Sequence, residues 1–466
     1  MTPLPARDMG RRAGILLHPT SLPSACLNHD AERFIDWLAS AGFGIWQILP
    51  LGPTQDGGSP YQSPSAHALN PALLDIDVHH ARLAFTRSDD LQQREAYAEF
   101  LRTQVDWLPD YALFMALRQQ YNQPWYEWPA PIRLREPDAL HKAHHELNAQ
   151  IEHILFEQFL LYSRWQALRE KARKKDILLF GDMPIFVAHD SADVWVHPEY
   201  FSLDSDGALI EVAGVPPDYF SATGQRWGNP LYRWDRLEQD GFAWWISRIK
   251  TQLSLYDWVR IDHFRGLAAA WHIPASEPTA QGGRWVKAPG DRMLQALLDH
   301  FGPLPLVAED LGLITDDVVE LKHQFGLPGM TVLQFGFEGD ANNPHRFGNH
   351  QPHSVIYTGT HDNDTTLGWW QSLPADRQTQ ILIELDQSAS DMPWPMIEAV
   401  LASPCAWAML PMQDVLQLDS RARMNTPGTN EGNWQWRLDR NALTHGLSHH
   451  LRSLIQHFGR LPVASD

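Results

Sequence analysis

Short apolar, β-branched runs recur along the chain at 13–17, 44–49, 177–181, 258–261, 306–308, 331–335 and 355–357, with an eighth at 406–410. Near-continuous apolar runs of this length suit parallel strands buried on both faces. Between several of them the apolar positions switch to helical spacing, at 32–41, 292–300 and 316–325. The first of these helical stretches is closed by Gly42 and the last by Gly326, the usual place for a terminating glycine. Strands alternating with helices call for a parallel α/β sheet. Seven or eight such units predict a closed (β/α)8 TIM barrel rather than an open sheet. A barrel of this kind takes about 250 residues, so a chain of 466 residues carries large insertions.

The insertions can be placed. Residues 66–175, between the second and third runs, hold far more than one crossover helix. Within them 89–117 and 139–175 have helical spacing, and Pro124, Pro129, Pro131 and Pro137 mark an irregular span. The expectation is a mostly helical insertion subdomain. Residues 183–250 are rich in Gly, Pro, aromatics and Asp, and predict long loops over the C-terminal face of the barrel. The whole chain, 1–466, reads as a single catalytic barrel with these two insertions.

Composition narrows the partners. There are 37 basic and 56 acidic side chains, a net charge of −19 at neutral pH. That argues against nucleic acid or an anionic membrane, which need a basic field. No apolar run approaches the ~18 residues of a membrane span, and residues 1–14 lack the pattern of a secretion signal. Cys26 and Cys405 are the only cysteines, which fits a reducing cytosol and predicts a cytoplasmic protein. The 20 Trp, beside 11 Tyr and 19 Phe, point further. Most must fill the core, yet an indole N–H needs a partner when buried. A surplus of flat aromatic faces beside many carboxylates is what a carbohydrate groove would use.

Three predicted strands run into acids, where a barrel carries its catalytic groups. Trp258–Ile261 leads to Asp262, His263 and Arg265; 306–308 leads to Glu309 and Asp310; 355–357 leads to Thr360, His361, Asp362 and Asp364. Neighbouring strands lie about 4.8 Å apart, so acids at adjacent strand tops can stand about 5 Å apart, the separation of a retaining glycosidase pair. Arg260 shares the strand face of Asp262 and can keep that carboxylate ionised as a nucleophile. Glu309, facing neighbouring carboxylates, should be pushed up in pKa, as an acid/base requires. Any single acid after a strand is more often a helix cap or turn residue; three at corresponding positions, two of them beside His, outweigh that reading.

Further motifs stand in order along the chain. They are Gly14-Ile15-Leu16-Leu17-His18-Pro19-Thr20-Ser21-Leu22-Pro23, Ser59-Pro60-Tyr61-Gln62-Ser63-Pro64-Ser65, Gly181-Asp182-Met183-Pro184-Ile185, and Asp190-Ser191-Ala192-Asp193-Val194-Trp195. Then come Gly214-Val215-Pro216-Pro217-Asp218, Gly224-Gln225-Arg226-Trp227-Gly228-Asn229-Pro230 and Arg423-Met424-Asn425-Thr426-Pro427-Gly428-Thr429. With the three acid motifs they strongly resemble the amylomaltases, the 4-alpha-glucanotransferases or disproportionating enzymes of glycoside hydrolase family 77, in the alpha-amylase clan. The resemblance covers nearly the whole chain. It implies that Asp262 is the nucleophile, Glu309 the general acid/base and Asp362 the transition-state stabiliser. It also implies that Arg260, His361 and Asp182 line the subsite of the attacked glucose, that Tyr61 stacks on that glucose, and that Trp227 is a lid residue on the acceptor side. One departure stands out: before Asn70-Pro71 the family usually has a small residue, where this chain has His67-Ala68-Leu69.

Other features weigh less. His141, His144 and His145 share helical spacing without a carboxylate or Cys partner, and no zinc spacing occurs, so no metal is expected. Gly214, Gly224 and Gly228 lack a nucleotide-binding fingerprint, and no cofactor is expected. A catalytically silent glucan-binding protein would not need all three acids. Hydrolase and transferase share the first half-reaction, and residue chemistry alone leaves both open; the resemblance favours transfer. The resulting expectation is a retaining 4-alpha-glucanotransferase acting on maltooligosaccharides and other α-1,4-glucans, with the oligomeric state left open.

Overall fold

In the computed structural model, which describes residues 7–217, 221–387, 391–429 and 431–462, the eight apolar runs become strands and four further strands stand between them. In chain order these are β1 (Arg12–Leu16), β2 (Ile45–Gln47), β3 (Leu178–Pro184), β4 (Glu211–Val215), β5 (Gln225–Pro230) and β6 (Trp258–Asp262). They continue as β7 (Ala269–Pro274), β8 (Arg284–Lys287), β9 (Leu306–Ala308), β10 (Gly329–Val332), β11 (Ser354–Tyr357) and β12 (Trp407–Pro411). Eight of them form one sheet in the order β10-β11-β12-β1-β2-β3-β6-β9, every pair parallel. The two ends meet where Ala308 N donates to Pro328 O at 2.9 Å. Asp310 stitches the same seam, accepting from Met330 N at 2.7 Å and pairing with Lys322. The sheet is thus a nearly closed (β/α)8 barrel, as the alternation of strands and helices predicts.

Burial on both strand faces separates two apolar clusters. Ile45, Phe180, Trp258, Val307, Met330, Val355, Tyr357, Trp407 and Met409 pack together, with Trp407 meeting Phe180 and Trp258 edge-on at 5.2 and 5.1 Å. The strands' other face belongs to the much larger cluster shared with the helices. Between β1 and β2 the helix His29–Ala41 starts on Asn28, whose side chain accepts from Asp30 N, and stops at Gly42 in the left-handed region at φ 84°. Only glycine enters that region without strain.

The boundaries differ from the sequence pattern in three places. The run at 331–335 is strand only to Val332; Leu333–Phe337 is a 3-10 helix, in which the Gln334 side chain donates to Asp364 O at 3.0 Å. The helical stretch at 89–117 breaks into Leu91–Thr103 and Leu108–Tyr121, the second opened by Pro109. The stretch at 139–175 is likewise two helices, Pro137–Glu146 and Asn148–Arg173.

Residues 183–250, read as loops, contain more regular structure than that. They supply β4, β5 and the helices Trp234–Gln239 and Ala243–Leu255. β4 and β5 join β7 and β8 in a four-stranded antiparallel sheet, order β5-β4-β7-β8. β4 pairs with β5 within 183–250, but its other neighbour, β7, comes from beyond β6 in the chain, so the sheet is completed only by a non-local pairing. Asp218, part of a quoted motif, lies outside the described residues. Among the described residues no helix is long and apolar enough to cross a membrane.

Candidate active site

The charged centre follows from strand register. β3 and β6 pair in parallel with Asp182 opposite Arg260 and Pro184 opposite Asp262. Side chains two apart on a strand share a face, so Asp182, Arg260 and Asp262 form one row. Arg260 Nη1 donates to Asp182 Oδ2 at 2.6 Å and Nη2 to Asp262 Oδ1 at 2.8 Å. On the other side β6 pairs with β9, Ile261 opposite Ala308. Glu309 N donates to Ile261 O at 3.1 Å, which sets Glu309 beside Asp262 at the tops of adjacent strands.

Burial acts differently on each group. Arg260 stands well above its ordinary pKa: desolvation opposes its charge, but Asp182 and Asp262 outweigh that. Burial also pushes the Asp182 carboxyl up, with Arg260 pulling the other way. The Glu309 carboxyl rises to about 7. The sequence pattern attributes such a rise to neighbouring carboxylates; in the structure the main cause is burial, Arg260 opposes it, and Asp262 adds to it. Two backbone groups hold Glu309 in place, His263 N to Oε2 at 2.7 Å and Leu311 N to Oε1 at 2.8 Å. His263 reaches that position with a left-handed backbone, φ 53°, and burial takes its imidazole down to about 4, so it is neutral at pH 7.

Asp362 arrives on the loop after β11. Its Oδ1 accepts from Asn425 Nδ2 at 2.7 Å and lies 3.3 Å from His361 Nε2. Arg423 Nη2 donates to Asp362 O at 2.7 Å, and Asn425 N to His361 O at 3.1 Å. Tyr61 joins from the loop after β2: its hydroxyl donates to Asp182 Oδ2 at 2.7 Å, and its ring stacks on His361 at 5.2 Å. Trp227 stands on the β6 side with its ring edge-on to His263 at 4.7 Å. It is carried by a strand, β5, rather than by a free loop.

All eight residues singled out in the sequence therefore gather at the C-terminal end of the barrel. Four contributors were missed there. Arg423 and Asn425 clamp Asp362, although their motif was noted without a role. Asp414 is buried and accepts from Thr358 Oγ1, Thr366 N and Thr366 Oγ1, tying both ends of the loop that carries His361 and Asp362. Trp434 packs at 6.1 Å from Tyr61 and 5.9 Å from His361; its position among 20 Trp had no distinguishing signal. Among the described residues no group of His, Cys, Asp and Glu is placed to hold a metal ion.

A parallel barrel whose acids converge at the carboxyl ends of its strands is, as a class, an enzyme with its site at that face. Comparison with known proteins makes the assignment particular. A family model described as 4-alpha-glucanotransferase, of glycoside hydrolase family 77, matches residues 17–93 and 78–442. The 4-alpha-glucanotransferase of Thermus thermophilus is 45% identical, over 97% of this chain and 100% of its own length. That of a Synechocystis strain is 44% identical, over 98% and 99%. Among solved structures, the amylomaltase from Streptococcus agalactiae in complex with acarbose superposes with a TM-score of 0.90 at 34% identity, covering 97% of this chain and 99% of that one. The chain belongs to the 4-alpha-glucanotransferase family, enzymes that transfer segments of α-1,4-glucan.

Proposed function

We propose that this enzyme transfers maltooligosaccharide segments to the 4-hydroxyl of an acceptor glucan or glucose by a retaining double displacement on Asp262 and Glu309. The observation that carries the reading is their placement on the adjacent, in-register strands β6 and β9, with Arg260 bonded to the first and burial keeping the second protonated near neutrality. Adjacent strand tops give the short carboxyl separation of retaining enzymes.

In the first step Glu309 gives its proton to the scissile oxygen while Asp262 attacks the anomeric carbon. Asp362, held by Asn425, faces the positive charge that develops on the sugar ring. Formation of the covalent bond removes the Asp262 charge, one of the influences that raise Glu309. The Glu309 pKa then falls, and as a carboxylate it takes the proton of the acceptor 4-hydroxyl. Asp182, Arg260, Tyr61 and His361 line the subsite of the attacked glucose, and Trp227 flanks the acceptor side. The two cysteines, both buried and unpaired, support a cytosolic setting.

Incubation with maltotriose tests the reading. Glucose and a ladder of longer products should appear while reducing ends stay constant; rising reducing ends without longer products would mean hydrolysis. Asp262→Asn should abolish turnover of maltotriose and of α-glucosyl fluoride. Glu309→Gln should abolish turnover of maltotriose yet still release a burst of about one fluoride per enzyme from α-glucosyl fluoride, because fluoride leaves without a proton while the second step needs the base. Near-full maltotriose activity in either variant would overturn the assigned roles.

A further inference from the structure

Trp434 is a bulky residue held where bulky residues rarely stand. Its φ is 63°, in the left-handed region that costs a side chain other than glycine. The surroundings enforce it. Trp434 N donates to Met424 O at 2.8 Å. The preceding Asn433 accepts from Thr426 N and donates to Thr429 O, both at 2.9 Å. Strain of this kind persists where a side chain must be presented in one direction. Trp436, two positions on, packs against the main apolar core. The Trp434 ring instead turns onto Tyr61 and His361, tilted by 47° and 38°, and stays half-exposed.

Its place around the barrel gives it a side. Trp227 meets His263, which follows β6; Trp434 meets His361, which follows β11. β9 and β10 lie between those strands, so the two indoles flank the acids from opposite sides. If Trp227 borders the acceptor, Trp434 borders the donor. Tyr61 and Trp434 then form consecutive aromatic surfaces, the first for the attacked glucose and the second for its neighbour further along the chain.

We infer that Trp434 is a specificity-determining residue, the stacking platform for the second donor glucose, which anchors the donor segment while the acceptor exchanges. This rests on the retaining reading above and deepens it. The anchor matters only to donors of two or more glucose units.

Two donors therefore separate it from a structural role: maltotriose, which reaches Trp434, and α-glucosyl fluoride, whose single glucose does not. With Trp434→Ala, KM for maltotriose should rise about tenfold, the scale of one aromatic contact, with kcat changed less. The loss with α-glucosyl fluoride and glucose should be several-fold smaller than the loss with maltotriose. Trp434→Phe should restore most of the maltotriose KM. Equal losses on both donors, or none on either, would overturn the inference. Trp434→Gly should melt no lower than Trp434→Ala, because glycine relieves the strain; a clearly lower melting point would show that the backbone here is not strained and would overturn the inference too. Failure of the parent enzyme to use α-glucosyl fluoride would count against the retaining reading instead.

Discussion

Two buried arginines stand at opposite ends of the barrel. Arg260, at the carboxyl ends of the strands, is bonded to two carboxylates. Arg460, at the other end, is enclosed with no acid beside it among the described residues. It donates to the carbonyls of Leu401, Arg12, Ala406, Ser403 and Cys405 at 2.6, 3.2, 2.9, 2.7 and 3.0 Å. Burial takes its pKa down to about 9, still protonated at pH 7, whereas the carboxylates hold Arg260 far above its ordinary value. The same side chain is thus used in two ways. At the bottom its five N–H groups satisfy the loose carbonyls around the start of β1 and β12 and pin the C-terminal segment to the barrel. At the top it orders charges that face the reaction. One arginine serves stability, the other the site.

The sharpest way to break this contrast is Arg260→Met. It leaves Asp182 and Asp262 buried without their cation, so kcat/KM should fall about 10²–10³-fold and stability by about 3–5 kcal/mol. Lysine should rescue little, since one ammonium cannot span both carboxylates in the same fork. Arg460→Met should do the opposite. Stability in urea should fall by about 3 kcal/mol, because several buried carbonyls lose a donor at about 1–3 kcal/mol each and water relieves part of the loss; kcat of the folded enzyme should be unchanged. Activity loss at constant stability in that variant would erase the distinction between the two ends.

A smaller effect comes from Glu309, whose pKa is about 7 in the fold and near 4.5 when unfolded. Between those values the unfolded chain has released the proton and the folded chain keeps it, so stability falls as pH rises through that window. Glu309→Gln should therefore be more stable than the parent at pH 7, by on the order of 2 kcal/mol, and show a shallower slope between pH 4.5 and 7, with buried Glu157 supplying what remains. Smallest of all is a pH profile in the unaltered enzyme. Donor cleavage needs the protonated acid, so the rate should decline above about pH 7 with a single-proton slope, as product formation from maltotriose across pH 5–9 would reveal.

The same contrast separates what could be read along the chain from what could not. Asp262, Glu309 and Asp362 were legible because each follows an apolar run at a barrel strand's end, and Arg260 because it shares a strand face with Asp262. Arg460 was not: nothing beside it in the sequence names the carbonyls of residues 12 and 401–406 that it meets. Trp434, Asn425 and Asp414 were silent for the same reason, since each acts on a loop more than 45 residues away.

The apolar runs and their spacing by themselves determined eight parallel strands, a closed barrel and the end of it that carries the acids, because strand burial and βα connection length are local properties. The order in which acids become neighbours, the antiparallel sheet that presents Trp227, and the burial that raises Glu309 were decided only by tertiary structure. Register, desolvation and carbonyl capping all depend on which segments meet. A residue's chemistry is written in the chain; its surroundings, and so its pKa and its use, come from contacts made across it.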